Sequence, residues 1–149
     1  MNSVPIGLRQ ALLADDETIR KMVREARIFR FGVDWRRFLL AIDENGAIVG
    51  CIQVKPHQDG TREMASLVVV PTRQGEGIAR FLIETVRGQQ PRPLYLTCRG
   101  ALQPLYRKFG FRSLLPGEMP PYYRKLRRFF DVLRFVLRLN ETMAVMVWD

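Results

Sequence analysis

Histidine and cysteine are nearly absent from this chain: His57 stands alone, and Cys51 and Cys98 are the only cysteines in 149 residues. Two cysteines make neither a disulfide framework nor a zinc-binding spacing. One histidine leaves no histidine-based metal cluster and no serine–histidine–aspartate arrangement, so no metal is expected. Long apolar runs are missing too, since none approaches the roughly 20 residues that cross a bilayer. The N-terminus (Met1-Asn2-Ser3-Val4-Pro5-Ile6) lacks the basic start and apolar stretch of a signal peptide. A reducing, cytoplasmic setting is the expectation. There is no repeat, low-complexity tract or flexible linker, and the length suits one compact domain, residues 1–149.

What the chain does have is apolar content and positive charge. It is 47% hydrophobic and 26% charged, with 24 lysines and arginines against 15 acids, a net charge of +9. That balance is globular rather than disordered. The excess is concentrated: Pro121–Leu139 holds Arg124, Lys125, Arg127, Arg128, Arg134 and Arg138 against Asp131 alone. Charge by itself admits nucleic acid, anionic lipid or an anionic small ligand.

Periodicity sets out the elements. Leu8–Leu12 alternates as a short strand, and Asp16–Arg27 repeats Ile19, Met22, Val23 and Ala26 at helical spacing. Arg27–Trp35 is a short helix or a loop. Phe38–Ile42 and Ile48–Val54 flank Asp43-Glu44-Asn45-Gly46, a hairpin signature, and His57–Gly60 is a second turn. Glu63–Val70 ends in an apolar run that suits a strand covered on both faces. A helix over Gly77–Arg87 with Ile78, Phe81, Leu82 and Val86 on one side follows, then a strand over Pro93–Cys98. A short helix over Leu102–Phe109 and strands at Phe111–Leu115 and Thr142–Trp148 complete a mixed α/β order. Tyr122–Leu139 carries Leu126, Phe129, Phe130, Leu133, Val136 and Leu137 at helical spacing, a basic amphipathic helix before the last strand.

The most informative stretch is Val68-Val69-Val70-Pro71-Thr72-Arg73-Gln74-Gly75-Glu76-Gly77-Ile78-Ala79. An apolar strand enters a two-glycine loop that opens straight into an amphipathic helix. Glycines let backbone N–H groups approach an oxyanion, and the helix start adds unpaired N–H groups and a positive dipole end. Arg73 and Arg80 add positive field. No Gly-Lys-Ser/Thr follows, so this is not a Walker loop, and the third glycine of a dinucleotide fingerprint is missing.

Gln74-Gly75-Glu76-Gly77-Ile78-Ala79 resembles the Gln/Arg-x-x-Gly-x-Gly/Ala loop of the GNAT N-acetyltransferase superfamily. Ala101-Leu102-Gln103-Pro104-Leu105-Tyr106-Arg107-Lys108-Phe109-Gly110-Phe111 is similar to that family's Ala-x-x-x-Leu-Tyr-x-Lys-x-Gly-Phe segment, in the right order and at the right separation. The resemblance covers Leu8–Leu115. It implies a mostly antiparallel central sheet flanked by helices, with the basic helix of residues 121–139 as an extra insert. It also implies acetyl-CoA as co-substrate and direct attack of a primary amine on the thioester.

By the same resemblance, the amides of Gln74, Gly75, Glu76, Gly77, Ile78 and Ala79, with Arg73, hold the pyrophosphate. The backbone of Val68 and Val70 pairs with the pantetheine arm. Tyr106 stands near the sulfur as proton donor, and Glu63 is the carboxylate that deprotonates the amine, with Ser66 placed to order a water. Arg99 or Gly100 stands where the family often has asparagine, and Arg99 is either a grip on a CoA phosphate or simply an exposed arginine. Arg30, Phe31 and Trp35 form an aromatic, cationic wall for the acceptor, suited to an amine that carries a carboxylate. Cys98 as a covalent nucleophile finds no histidine near it in sequence, and His57, in a turn after the hairpin, reads either as a surface-loop residue or as one that lines the acceptor mouth.

Two functional classes remain open. One is an N-acetyltransferase acting on a small-molecule or peptide amine. The other is a non-catalytic acyl-CoA-binding or membrane- or nucleic-acid-binding module on a degenerate acetyltransferase core. The intact loop together with Tyr106 favours the enzyme. For residues 122–139, the domain itself, a second copy in a homodimer and an anionic membrane surface are the candidate partners. Nucleic acid has no recognisable motif in its favour.

Overall fold

A computed structural model describes residues 5–28 and 31–149. Seven strands, β1 (Gly7–Gln10), β2 (Phe38–Ile42), β3 (Ile48–Pro56), β4 (Arg62–Val69), β5 (Leu94–Arg99), β6 (Arg112–Ser113) and β7 (Met143–Trp148), are hydrogen-bonded in the order β1-β2-β3-β4-β5-β7-β6. Among the described residues, four α-helices accompany them: α1 (Asp16–Glu25), α2 (Ile78–Gln89), α3 (Gln103–Arg107) and α4 (Pro121–Leu137). The sheet is mixed and mostly antiparallel; β4 and β5 are the parallel neighbours, pairing Glu63 with Tyr95. The chain packs as two compact units, Met1–Lys55 with Met64–Gln89, and Pro56–Glu63 with Gln90–Asp149.

In the first unit, α1 turns Ile19, Met22 and Val23 inward. They join Phe38 and Leu40 of β2, Cys51 of β3 and Val68 of β4 in one buried cluster. Asp15 fixes the entry to α1: its carboxylate accepts from the Leu12 N–H at 2.7 Å and from Arg9 at 2.7 and 3.1 Å. The β2–β3 turn forms where Asn-Gly predicts it, but by a different device. Gly46 alone has positive φ (+80°), while Asp43 Oδ1 accepts from the Asn45 and Ala47 N–H groups at 2.9 Å. Along α2 the buried positions are Ile78, Leu82, Ile83 and Val86. Phe81, expected on that face, is instead exposed.

In the second unit, β5 pairs with β7 over six positions, Leu94↔Trp148 to Arg99↔Met143. Leu114, Met119, Tyr123, Val145 and Val147 form its buried cluster. The Phe111–Leu115 strand shortens to Arg112–Ser113, because Phe111 and Leu114 are buried in the turns flanking it. Proline opens α4 at a position where no N–H is needed. Only the front of this helix is covered. Tyr123 is fully buried, and Leu126, Phe130 and Leu133 are half-buried, whereas Phe129, Val132, Phe135 and Val136 are exposed. The apolar stripe expected from the sequence therefore splits between two sides.

Candidate active site

The loop after β4 is built in the first unit. Ser66 takes a left-handed φ of 56° inside β4, at a cost of about 1–2 kcal/mol for a residue with a Cβ. Its hydroxyl accepts from Gln53 Nε2 at 2.8 Å in a buried pair. Val68 is core. Both backbone groups of Val70 are committed internally: its N–H donates to the Val49 carbonyl at 2.9 Å and its carbonyl accepts from the Arg73 N–H at 3.0 Å. The Val70 N–H is therefore not available to a pantetheine arm. Strand alternation turns the Val69 N–H to the opposite edge, and Gln74 Nε2 donates to the Val69 carbonyl at 3.2 Å.

Arg73 braces the turn. Its Nε donates to Glu76 at 2.7 Å and its guanidinium lies 3.7 Å from Asp43, which holds the Arg73 pKa up. Much of the positive field expected from Arg73 is thus spent on neighbouring carboxylates. Gly75 and Gly77 both have φ of +84°, and a Cβ on either would meet nothing within 4 Å. The first backbone bond into the 12-residue α2 runs from the Phe81 N–H to the Gly77 carbonyl at 3.0 Å. The N–H groups of Ile78 and Ala79 ahead of it are therefore not consumed by the helix. A pyrophosphate fits this turn on that observation: open space beside two glycines, at a helix N-terminus.

The acceptor wall is only partly in view. Arg30 lies outside the described residues. Phe31 is exposed and its carbonyl accepts from Lys55 Nζ at 3.0 Å. Trp35 packs against the first unit's core, with the Arg36 guanidinium 4.9 Å over its ring.

In the second unit, Tyr106 is buried at 9% exposure and meets Phe111 edge to face at 6.2 Å. Burial, with a smaller effect from Cys98, pushes its phenol up to about 12. Burial also pushes the Cys98 thiol up to about 11, so it stays protonated and makes a poor nucleophile. Arg99 is exposed and lies 3.7 Å from Glu141. Gly100 follows because a Cβ there would collide with the Thr142 hydroxyl.

The residue that sequence reasoning undervalued is His57. Its Nε2 lies 2.8 Å from Glu63 Oε1, and Thr97 Oγ1 donates to Glu63 Oε2 at 3.0 Å. The Tyr122 ring stacks on the imidazole at 3.6 Å, and Tyr123 meets it edge-on at 5.9 Å. Glu63 is buried, not a solvated strand-edge acid. The signal was present in the sequence: His57 and Glu63 flank a tight turn, so pairing across it sets them side by side. Among the described residues, no group of three or more histidines, cysteines and acids could hold a metal.

A family model for the acetyltransferase (GNAT) domain matches residues 34–113, more than half of the chain, and the chain belongs to this family of acyltransferases, whose co-substrate is acetyl-CoA. Among solved structures, N-acetylglutamate synthase from Neisseria gonorrhoeae, complexed with coenzyme A and N-acetyl-glutamate, superposes with a TM-score of 0.73 at 21% identity, covering 97% of this chain and 35% of that one. The chain thus spans about a third of that protein's length. Rv2747 from Mycobacterium tuberculosis, solved with CoA, gives 0.67 at 17% identity over 93% of this chain and 97% of that one. An acyl-CoA N-acyltransferase from Pseudomonas aeruginosa gives 0.67 at 15% identity over 99% and 100%. At such identities the likeness concerns the fold. No match is found among the curated proteins.

Proposed function

We propose that the chain works as one cytoplasmic N-acetyltransferase domain, moving an acetyl group from acetyl-CoA to a primary amine by direct attack. The observation that carries this reading is the Gln74–Ala79 turn, with two positive-φ glycines, open space beside both, and the Ile78 and Ala79 N–H groups at the start of α2. These amides would hold the pyrophosphate, and the Val69 N–H the pantetheine arm. In transfer, the amine nitrogen bonds to the acetyl carbon, the carbon–sulfur bond breaks, Tyr106 gives its proton to the departing thiolate, and the proton shed by the new amide nitrogen restores the phenol. Deprotonation of the ammonium falls to Glu63 and the imidazole bonded to it. Arg30, Phe31 and Trp35 are assigned to the acceptor, an amine carrying a carboxylate.

Acetyl-CoA at about a hundred times its Kd should stabilise the fold by about 2.7 kcal/mol, roughly 5–10 °C in Tm for a chain of this size. Gly77→Glu puts a bulky anion into the phosphate turn and should abolish that shift. Absence of stabilisation by any acyl-CoA at millimolar concentration would sink the enzyme reading. A panel of amino acids, polyamines and peptides, followed by release of free CoA thiol, would identify the acceptor.

A second reading concerns α4 and adds to the first. Spacing of 3.6 residues per turn gathers the exposed Lys125, Arg128, Phe129, Val132, Phe135 and Val136 on one side of the helix. Arg127, Arg134 and Arg138, with Asp131, also line a cleft of about 930 Å³ beside its C-terminal end. Cations interleaved with exposed phenylalanine complement an anionic lipid surface, which we take as the partner of this face. No described helix is long and apolar enough to cross a membrane.

A further inference from the structure

Glu63 is a poorly placed base in its own right. It is 3% exposed, and both of its oxygens already hold a protein donor, His57 Nε2 on one and Thr97 Oγ1 on the other. A buried carboxylate with both oxygens occupied offers little room for an incoming amine or its water. The carboxylate does, however, fix the imidazole. A carboxylate only accepts, so Nε2 must carry the proton, and the neutral ring is left with its lone pair on Nδ1. Among the described residues, Nδ1 has no protein partner, and 11% of the His57 side chain remains exposed.

The ring is also held rigidly. Tyr122 covers one face at 3.6 Å with only 16° between planes, and Tyr123 closes on it edge-first. The backbone beneath is pinned as well: the His57 N–H donates to the Thr61 carbonyl at 2.9 Å, and Asp59 accepts from the Tyr122 N–H at 3.1 Å. An oriented imidazole whose second nitrogen is bonded to a buried carboxylate is the arrangement by which proteins build a general base.

We propose that His57, through Nδ1, is the group that takes the proton from the acceptor amine, and that Glu63 is the positioning residue that sets its tautomer. This rests on the N-acetyltransferase reading. The proton passes from the ammonium to Nδ1, giving an imidazolium that donates to Glu63 through Nε2, and it returns to solvent after transfer. The titratable groups facing the ring are Glu63 on β4, Asp59 in the turn, and Tyr122 and Tyr123 on α4. Burial holds both phenols above their ordinary pKa, so the carboxylates are the charges the ring senses.

Because His57 is the only histidine, its ring nitrogens can be observed without assignment ambiguity by long-range proton–nitrogen NMR. The neutral ring of the unliganded protein should carry its proton on Nε2 and leave Nδ1 bare; the opposite tautomer overturns the proposal. In kinetics, with the best amine from the panel, His57→Gln should lower kcat/KM about 100-fold, the lower end of a general base's contribution, and remove the acidic limb of the pH profile. Its Tm shift with acetyl-CoA should be unchanged. His57→Ala should recover activity when free imidazole is added. Glu63→Gln should weaken activity while keeping an acidic limb at a displaced pH. If instead His57→Gln keeps the acidic limb and Glu63→Gln loses it, Glu63 is itself the base and the proposal falls. Failure of the broader reading looks different: no Tm shift and no turnover by the unaltered protein.

Discussion

Tyr106 and Cys98 owe their chemical states to burial, and those states divide the labour between them. A phenol pushed up to about 12 is neutral at every working pH, so it can donate a proton but contributes no basic limb below that range. Tyr106→Phe should therefore lower kcat by roughly 100-fold without moving the pH limbs or the acetyl-CoA Tm shift. A displaced limb would show that some other group is the acid. Cys98→Ala should retain transfer, since a thiol held up to about 11 is not the nucleophile. Asp15 makes a residue-scale prediction about stability. Hydrogen bonding from Arg9, joined by the Leu12 N–H, holds its carboxyl below the ordinary range. A depressed carboxylate contributes stability that is complete above its unfolded pKa of about 3.9 and is lost as pH falls through the folded value. Asp15→Asn should cost about 1–2 kcal/mol at neutral pH, and its urea midpoint should approach the parent's in acid. The placing of Tyr106 on α3 could be read from sequence because that helix and its glycine stop are local. The burial of Glu63 could not, because Thr97 and Tyr122, distant in sequence, create it.

Between β3 and α2 the spacing depends on one missing methyl. A Cβ on Gly50 would lie 3.0 Å from Ile78 Cγ2, 3.1 Å from Leu82 Cδ1 and 3.2 Å from the Val68 carbonyl oxygen. Side chains can rotate away, but the backbone oxygen cannot. Gly50→Ala should cost about 1–3 kcal/mol as an overpacked contact. Because Ile78 opens α2, the strain falls on the turn that we assign to pyrophosphate. The variant should therefore show a smaller acetyl-CoA Tm shift than the parent, not only a lower Tm; an undiminished shift would uncouple this contact from the turn. Helical spacing located α1 and α2 within a few residues because their buried faces are regular. It misplaced Phe81, since periodicity names a stripe and not its edges. The β2–β3 turn was found from Asn-Gly although Asp43 does much of the work. The internal partners of Val70, Val49 and Arg73, become visible only once the strands are paired.

At the scale of the whole molecule, the net charge of +9 finds different uses along the chain. Arg73 is bound to Glu76 and Asp43, and Arg9 to Asp15, so these cations serve the fold. The order of elements and the family were legible because both are written in local runs. What α4 meets was not, since the sequence shows an apolar stripe without showing how much of it the chain itself covers. With Phe129, Val132, Phe135 and Val136 exposed among cations, burial in an anionic headgroup layer would gain apolar contact and about 1 kcal/mol per lysine or arginine. That attraction shortens with the Debye length, about 8 Å at physiological salt and 3 Å at 1 M. The 149-residue chain should therefore cosediment with phosphatidylserine-containing vesicles at low salt, release at high salt, and ignore pure phosphatidylcholine. Phe129→Ser with Phe135→Ser should abolish binding while leaving Tm nearly unchanged, because these rings are 58% and 85% exposed. Equal binding by the double variant would exclude α4 as the contact. A salt-insensitive dimer in gel filtration that the same variant dissolves would instead assign this face to a second copy of the chain.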